Sequence, residues 1–234
     1  MHDQPQLLLF DIFGTVVDWH GSIVRELTAL HPEVDADAFA LAWRAAYRPS
    51  MERVMSGAQP WTRLDELHRA SLDALLPRFG LAHLDDAQRR HLNGVWHRLD
   101  PWPDSVAGLT RLKSRFTIAS LSNGNLGLLT NMAKRAGLPW DCVLSAEVFK
   151  AYKPDPAVYL GAARVFDLDP ARAMLVAAHH DDLAAARACG LQTAYIERPL
   201  EFGARQPKDV SPEPANTMHA RSITHLADLF GCPV

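Results

Sequence analysis

Asp11 is the first residue in the sequence whose type and surroundings suggest a chemical role. It follows the apolar run LLLF, and Gly14 and Thr15 come soon after it in LLLFDIFGTVVD. A glycine in such a turn lets the backbone approach a ligand closely. A carboxylate in this position can act as a nucleophile, bind a metal ion or cap the turn. The residues near Asp11 leave all three alternatives open.

Three later apolar runs are also followed by polar residues that could take part in a reaction, in the segments SLSNG, KAYKPDP and VAAHHDDLAAA. The polar residues in and just after these segments are Ser122, Asn123, Lys153, Tyr159, His179, His180, Asp181 and Asp182. Each segment alone is a weak signal, because a sequence such as Ser-Asn-Gly usually forms a turn. Four polar groups after successive apolar runs together predict one shared site.

Alternating sequence patterns predict the elements that position these groups. Short apolar runs at 7–13, 116–121, 142–146, 173–177 and 192–196 predict buried strands, and amphipathic stretches between the later runs predict helices. This alternation is typical of an α/β fold, a doubly wound parallel sheet with helices on both faces. Ligands of such sheets bind beyond the carboxyl ends of the strands, which is where we expect Asp11.

The segment 19–99 has a different pattern, with helical periodicity and no convincing strand. Phe39, Trp43 and Tyr47, for example, are spaced to share one helix face. An all-helical insert directly after the first strand would lie over Asp11, where it would exclude water and select substrates. We therefore predict an α/β core domain from residues 1–18 and 100–234, and a helical cap domain from residues 19–99.

Composition excludes several classes of protein. The chain has 234 residues, 48% of them apolar, and a net charge of −3 with scattered basic residues, which argues against nucleic-acid binding. No apolar run approaches the ~20 residues that a membrane-spanning helix needs, and the first residues are not typical of a signal peptide. Three widely spaced cysteines predict reduced thiols. We expect a soluble cytoplasmic protein.

The four segments together resemble the motifs of the haloacid dehalogenase superfamily, which match at Asp11, Ser122, Lys153 and the region of Asp182. The resemblance extends over about residues 7–200. It implies a Rossmann-like core with a cap inserted between the first two motifs. Most members of this superfamily are magnesium-dependent phosphatases, so the resemblance alone does not decide the reaction.

Two departures from the phosphatase pattern favour another reaction. Phosphatases of this superfamily carry a second aspartate two residues after the nucleophile, which protonates the leaving group, and here Phe13 occupies that position. A halide leaves as a stable anion and needs no proton. Ala178 stands where the phosphatase pattern has a metal-binding aspartate. We predict a site without metal or cofactor, although Asp182 and Asp11 remain an alternative magnesium pair of reduced affinity.

The Asp-aromatic-Gly-Thr start more closely resembles the L-2-haloacid dehalogenase branch. This resemblance implies that Asp11 attacks carbon 2 of the substrate and that Thr15 orients its carboxylate. Arg44, in LAWRAAY, would stabilise the departing halide, unless it lies on a solvated helix face. Ser122 and Asn123 would bind the substrate carboxylate, and Phe13 would contact the substrate.

The remaining roles follow from the same resemblance. Lys153 would keep Asp11 ionised, Tyr159 would support that contact or pack in the core, and Asp182 would position or activate water. Relatives typically read Ser-Ser-Asn in the fourth motif, and here His179 replaces the asparagine. We therefore interpret His179 as a base or as a donor to halide or water, with capping of the following helix as the structural alternative.

The sequence thus predicts a hydrolase acting on carbon–halide bonds. It would convert (S)-2-haloacids, including small haloacetates, to (R)-2-hydroxyacids through an aspartyl ester. Its partners would be the haloacid and the released halide, without nucleic acid or membrane, and the branch implies a homodimer. The alternatives are a magnesium-dependent phosphatase acting on a small phosphate ester, and a degenerate binding protein.

Overall fold

A computed structural model describes residues 4–233. The strands are β1 (Leu7–Phe10), β2 (Val17–Asp18), β3 (Asp100–Pro101), β4 (Thr117–Ser122), β5 (Cys142–Ser145), β6 (Ala173–Ala177), β7 (Gln192–Ile196) and β8 (Met218–Ala220). Six of them form a parallel sheet in the order β5-β4-β1-β6-β7-β8. This order confirms the predicted doubly wound α/β architecture.

β1 lies in the interior of the sheet because its residues are apolar on both faces. Leu7 to Phe10 are all fully buried, as expected for a parallel strand covered on both sides. The strand pairs with β4 on one side and β6 on the other, so that Phe10 is level with Ser120 and Val176. Asp11 therefore emerges between the carboxyl ends of two neighbouring strands.

The predicted strand boundaries agree closely with the structure, with instructive differences. β6 and β7 have the predicted bounds, whereas β1 ends at Phe10 rather than at residue 13. The chain leaves the sheet there and turns at Gly14, whose φ of 88° favours glycine. β8 was not predicted, because a three-residue edge strand is too short to show a pattern.

The helices are α1 (Trp19–Leu30), α2 (Ala36–Ala45), α3 (Tyr47–Met55), α4 (Leu64–Leu75), α5 (Asp86–Asn93), α6 (Ser105–Lys113), α7 (Leu126–Ala136), α8 (Pro156–Val165), α9 (His180–Ala188) and α10 (Ile223–Leu229). α1 to α5 and two 3-10 turns supply all the regular structure between residues 19 and 99, a segment that the structure describes completely. The all-helical character predicted for this segment is confirmed.

The helical segment has an aromatic interior that meets the end of β1. Phe13 lies among the rings of Tyr47, His68 and Trp96, at centroid distances of 6.4, 6.4 and 5.6 Å. The Trp43 indole packs on Trp96 as well and donates to the His68 carbonyl at 3.1 Å. This packing places the helical segment directly above Asp11.

Two short strands lie where the chain enters and leaves the helical segment. β2 and β3 pair antiparallel, with Val17 opposite Pro101 and Asp18 opposite Asp100. The sequence analysis did not predict this pair, since two residues carry no periodicity. Among residues 4–233, no helix is long and apolar enough to span a bilayer.

Candidate active site

The Asp11 carboxylate is buried and receives three donors. The backbone N–H of Asp11 donates to the Val176 carbonyl at 3.0 Å and so continues the sheet by one residue. The three donors to the side chain come from Lys153, Thr15 and His179. Lys153 Nζ lies 2.9 Å from Oδ1, while the Thr15 hydroxyl donates to Oδ2 at 2.7 Å. His179 Nδ1 lies 3.2 Å from the same Oδ2. The side chain is therefore fixed rather than free to rotate.

The charge of Asp11 is decided by a competition between burial and its cationic neighbours. Burial alone would raise the pKa of this carboxyl, but Lys153, His179 and the Thr15 hydroxyl together lower the pKa well below its usual range. Asp11 is consequently ionised at neutral pH and largely shielded from water. Such a carboxylate is able to attack an electrophilic centre, because little hydration has to be removed first.

Lys153 links Asp11 to a second buried carboxylate. Its Nζ lies 2.5 Å from Asp182 Oδ2, and the Tyr159 hydroxyl donates to Asp182 Oδ1 at 2.6 Å. Burial would lower the pKa of Lys153, but the two carboxylates raise it above its usual range. Burial also raises the pKa of Asp182, against the opposing effect of Lys153. Tyr159 is fully buried and thus both packs in the core and supports this network.

His179 is held between two carboxylates. Its Nδ1 faces Asp11, and its Nε2 lies 2.8 Å from Glu201 Oε1. Burial would lower the pKa of His179, but the Glu201 charge and the hydrogen bonds with both carboxylates raise it to about 9. His179 precedes α9, yet its side chain makes no capping hydrogen bond to the described residues of that helix. Helix capping is therefore not its role.

Glu201 is a site residue that the sequence analysis missed. It lies in the loop after β7 and is fully buried, where Lys208 Nζ and the Trp19 indole approach its carboxylate. Burial would raise the pKa of Glu201, but His179 and Lys208 lower it to about 2. Its signal in the sequence is its position after the fifth predicted strand, outside the four segments from which the site is predicted.

The turn after β4 contributes backbone groups and the amide side chain of Asn123 to the site. Ser122 is fully buried, and its hydroxyl accepts a hydrogen bond from the Gly124 N–H at 3.2 Å. Asn123 Oδ1 accepts the Lys153 N–H at 2.7 Å. Asn123 lines the cavity, and Ser122 does not. The structure therefore does not bring the Ser122 hydroxyl into the site.

Arg44 projects into the cavity from the last turn of α2. Its guanidinium carbon lies 4.2 Å from the centre of the Tyr47 ring, a cation–π arrangement. Nη1 is buried and has no hydrogen-bond partner in the part of the chain that the structure describes. A buried cationic donor without a partner is costly, so this atom indicates where an anion would bind.

A cavity of about 930 Å³ lies between the helical segment and the carboxyl ends of the strands. Its lining includes these residues predicted from sequence: Asp11, Phe13, Arg44, Asn123, Lys153, His179 and Asp182. Thr15 and Tyr159 lie behind the lining, where they bind Asp11 and Asp182. Phe13 presents only carbon atoms at the position where a phosphatase would need a proton donor.

The donor set of this site does not fit a magnesium ion. Both oxygens of Asp11 face hydrogen-bond donors, and both oxygens of Asp182 are bound by Lys153 and Tyr159. Ala178 supplies no side-chain oxygen, and the His179 ring beside Asp11 carries positive charge at neutral pH. No group of three or more acidic, histidine or cysteine side chains among residues 4–233 is arranged to hold a metal ion.

Comparison with known proteins agrees with the fold and identifies the family. The family model for haloacid dehalogenase-like hydrolases matches residues 5–190, and the chain belongs to this family. An (S)-2-haloacid dehalogenase from Pseudomonas sp. (strain CBS-3) is 31% identical over 202 residues, which cover 84% of this chain and 86% of the relative.

Two solved structures are similar over almost the whole chain. The crystal structure of an L-2-haloacid dehalogenase superposes with a TM-score of 0.92 at 48% identity, covering 97% of this chain and 99% of its own. That of a defluorinating L-2-haloacid dehalogenase superposes with a TM-score of 0.92 at 46% identity, covering 97% and 96%. These relatives agree with the resemblance drawn from the four motifs.

Proposed function

We propose that this protein is a hydrolytic dehalogenase that converts (S)-2-haloacids to (R)-2-hydroxyacids. The observation that carries the proposal is a buried, ionised Asp11 in a cavity where Phe13 replaces the proton donor of a phosphatase. A halide ion leaves without a proton, whereas the alkoxide released from a phosphate ester needs a proton from a general acid. The similarity to named dehalogenases supports the same reaction.

The first step is displacement of halide by Asp11. One carboxylate oxygen attacks carbon 2 of the substrate from the side opposite the halogen, forms a C–O bond and breaks the carbon–halogen bond. Arg44 supplies its unpartnered Nη1–H to the departing halide, which acquires negative charge as the bond breaks. Lys153 keeps Asp11 ionised before the attack.

The second step is hydrolysis of the aspartyl ester. Water adds to the Asp11 carboxyl carbon, and the ester bond breaks with carbon 2 untouched, so the inversion of the first step is retained. Asp182, fixed by Lys153 and Tyr159, takes a proton from the water and gives it to the leaving oxygen. Asp11 then releases its acid proton to solvent and is ready for another turnover.

The substrate carboxylate binds at the turn after β4. Because Ser122 is fully buried and does not line the cavity, the donors that we assign to this role are the backbone N–H groups of the turn and the Asn123 amide. A small haloacid bound there would place carbon 2 between Asp11 and Arg44. Residues 19–99 form the cap in this proposal, and the β2–β3 pair marks where the cap joins the core.

The test is halide release from chloroacetate, fluoroacetate and both enantiomers of 2-chloropropionate. We expect the (S) enantiomer to react and Asp11→Asn to be inactive, with Asp228→Asn, at an exposed aspartate of α10, as the matched control. In ¹⁸O-labelled water, a single turnover should place one label in Asp11. A label found only in the product would show direct attack by water and would contradict the proposal.

The phosphatase alternative makes a different prediction about metal. Dehalogenation through Asp11 needs no divalent ion, so halide release should persist in EDTA, whereas phosphatase activity would be lost. Phosphate release from a panel of small esters that stops with EDTA and returns with Mg²⁺ would favour the alternative. The donor set around Asp11 and Asp182 supports the metal-free reaction.

The resemblance also implies a homodimer in the cytoplasm, and we include both in the proposal. The free thiols of Cys142, Cys189 and Cys232 fit a reducing compartment. Light scattering after size-exclusion chromatography measures the oligomeric state directly. A mass of one chain, near 25.9 kDa, would exclude the dimer.

A further inference from the structure

His179 and Glu201 form a buried pair that no step above uses. Glu201 Oε1 lies 2.8 Å from Nε2 of the imidazole, and the other nitrogen, Nδ1, lies 3.2 Å from Asp11 Oδ2. Each ring nitrogen thus faces a carboxylate oxygen. A hydrogen on both nitrogens satisfies both contacts, and this form of histidine is the imidazolium cation.

The position of Glu201 is fixed by its surroundings. The carboxylate is fully buried, with Lys208 Nζ on Oε2 and the Trp19 indole 3.4 Å from Oε1. Lys208 also donates to the Ala178 carbonyl, which ties the loop after β7 to the end of β6. Gly14 packs against Glu201 so closely that a Cβ there would lie 2.3 Å from Oε1. Glu201 has little freedom to move away from His179.

We propose that Glu201 is a positioning residue that holds His179 as a permanent cation. The Nδ1–H of His179 and the Thr15 hydroxyl then form an oxyanion site at Asp11 Oδ2. This inference rests on the proposed function, since it concerns hydrolysis of the aspartyl ester. It replaces the interpretation of His179 as a base, because a base needs a free lone pair, and Nδ1 faces a carboxylate oxygen instead.

The chemistry of ester hydrolysis explains why two donors are placed on one oxygen. Lys153 contacts Oδ1, and in this proposal Oδ1 bonds to the substrate carbon. Oδ2 is then the ester carbonyl oxygen. When water adds to the carboxyl carbon, the carbonyl electrons move onto Oδ2, and the two donors stabilise that charge. When the bond from the carboxyl carbon to Oδ1 breaks, the electrons return, and the hydroxyacid leaves with the former Oδ1.

The overall balance of the reaction requires no proton from His179. Haloacid and water give hydroxyacid, halide and one proton, which Asp11 releases to solvent after hydrolysis. His179 donates hydrogen bonds throughout and keeps both of its hydrogens. The raised pKa of about 9 agrees with this charge state. The charged groups that act on Asp11, His179 and Glu201 are Arg44, Lys153, Asp182 and Lys208. Further charged residues line the same cavity, namely Arg48, Glu52, Asp155 and Asp181.

The experiment separates the two half-reactions. Rapid quenching and mass spectrometry of the Asp11 peptide measure ester formation and loss in wild type, His179→Ala and Glu201→Gln. Loss of one oxyanion donor typically slows a reaction about 10²–10³-fold. We expect the ester to accumulate in His179→Ala, with hydrolysis slowed by about that factor, and to accumulate less in Glu201→Gln. Hydrolysis at the wild-type rate in both variants would overturn the inference.

The pH profile distinguishes a cationic donor from a base. A donor loses its function as the imidazolium deprotonates, so the hydrolysis rate of wild type should fall above about pH 9. In Glu201→Gln this fall should begin at lower pH, because one anionic neighbour is gone. A hydrolysis rate that rises as His179 deprotonates would establish a base and exclude our assignment.

Control variants keep the test decisive. His179→Asn replaces the imidazolium with a neutral donor, so it should recover part of the rate lost in His179→Ala and lack the fall near pH 9. Glu213→Gln removes the partner of the neighbouring, more exposed His180 and should leave hydrolysis unchanged. If wild type forms no ester at all, the proposed function itself fails. If the ester forms but these variants hydrolyse it normally, only this inference fails.

Discussion

The reactivity of Asp11 depends on the balance of charges within about 3 Å of its carboxylate. Lys153 contacts one oxygen and His179 the other, and both contacts favour the ionised form. Without them, burial would hold the carboxyl in its neutral form, which is a poor nucleophile. These two contacts therefore decide whether Asp11 can attack the substrate at neutral pH.

Replacement of Lys153 by methionine tests this balance. In the native protein the pKa of Asp11 is lowered, so halide release in a single turnover should be independent of pH between about 5 and 8. In Lys153→Met the pKa of Asp11 rises, and the rate should increase with pH across that range. Lys134→Met, at an exposed lysine of α7, serves as the control. A flat profile in Lys153→Met would show that Lys153 does not set the charge of Asp11.

Arg44 is expected to act on halide departure rather than on hydrolysis. Its guanidinium lies over the Tyr47 ring, and its Nη1 is buried without a hydrogen-bond partner among the described residues; lysine reproduces neither the planar group nor the fork of donors. We expect Arg44→Lys to slow single-turnover halide release about 10²-fold and to leave ester hydrolysis unchanged. Arg164→Lys, at an exposed arginine of α8, should retain both rates. Equal slowing of both steps would contradict the assignment.

At the scale of elements, the helical segment and the sheet meet through aromatic packing. Phe13, two residues beyond Asp11, is enclosed by rings from α3, α4 and the 3-10 turn that contains Trp96. Phe13 thus stands where a phosphatase has its proton donor, and it also packs the helical segment against the sheet. Chemistry and packing are thus coupled at one position.

Phe13→Ala should destabilise the protein substantially. Removing a buried phenylalanine leaves a cavity between the helices and the sheet, and such changes typically cost about 3–5 kcal/mol. Urea unfolding of the variant measures this loss, and Leu229→Ala, at a side chain 48% exposed, should change stability by less than about 0.5 kcal/mol. A similarly small effect at Phe13 would mean that the surrounding rings close the gap.

His68 makes the stability of the helical segment depend on pH. Burial lowers its pKa from 6.5 to about 3, so the unfolded chain binds a proton between these pH values and the folded chain does not. Stability from this group should therefore fall as pH decreases below 6.5, by at most about 1.4 kcal/mol per pH unit. His68→Phe should flatten this acid limb in urea unfolding, and exposed His83→Gln should not. An unchanged acid limb in His68→Phe would refute the interpretation.

At the scale of the whole molecule, the cavity lies between two parts of the chain that are distant in sequence. Contacts between these two parts include the hydrogen bond from the Tyr152 hydroxyl to the Thr62 carbonyl at 2.6 Å, and that from the Asn125 amide to Asp65 at 2.9 Å. The ion pair of Arg48 and Asp181 also bridges the mouth at 3.6 Å, but both side chains are exposed, so it contributes little.

The volume and the apolar wall of the cavity predict a preference among haloacids. Leu41, Met51 and Met55 line the side formed by α2 and α3, where an alkyl tail would be buried. Each buried methylene contributes about 0.8 kcal/mol, so KM should fall by up to about fourfold per added carbon from (S)-2-chloropropionate to (S)-2-chlorohexanoate. Met55→Ser should reduce this trend without changing KM for chloroacetate. A KM that rises with chain length would place the tail elsewhere.

Particular elements show how far the sequence was sufficient. The central strands were predicted because a parallel strand buried on both faces must be continuously apolar, and the helical character of 19–99 was visible in its periodicity. The strands β2, β3 and β8 were missed, since two or three residues are too few to show a period. Their existence depends on partners elsewhere in the chain.

The sequence by itself determined the family, the α/β class and the candidate residues that follow strand ends, because local patterning and motif order are properties of the chain. Only the tertiary structure showed that Ser122 is buried outside the cavity lining and that Glu201 contacts His179. A side chain's direction and charge depend on neighbours that lie far away in sequence, and these neighbours are brought together only when the loops after different strands fold onto one edge of the sheet.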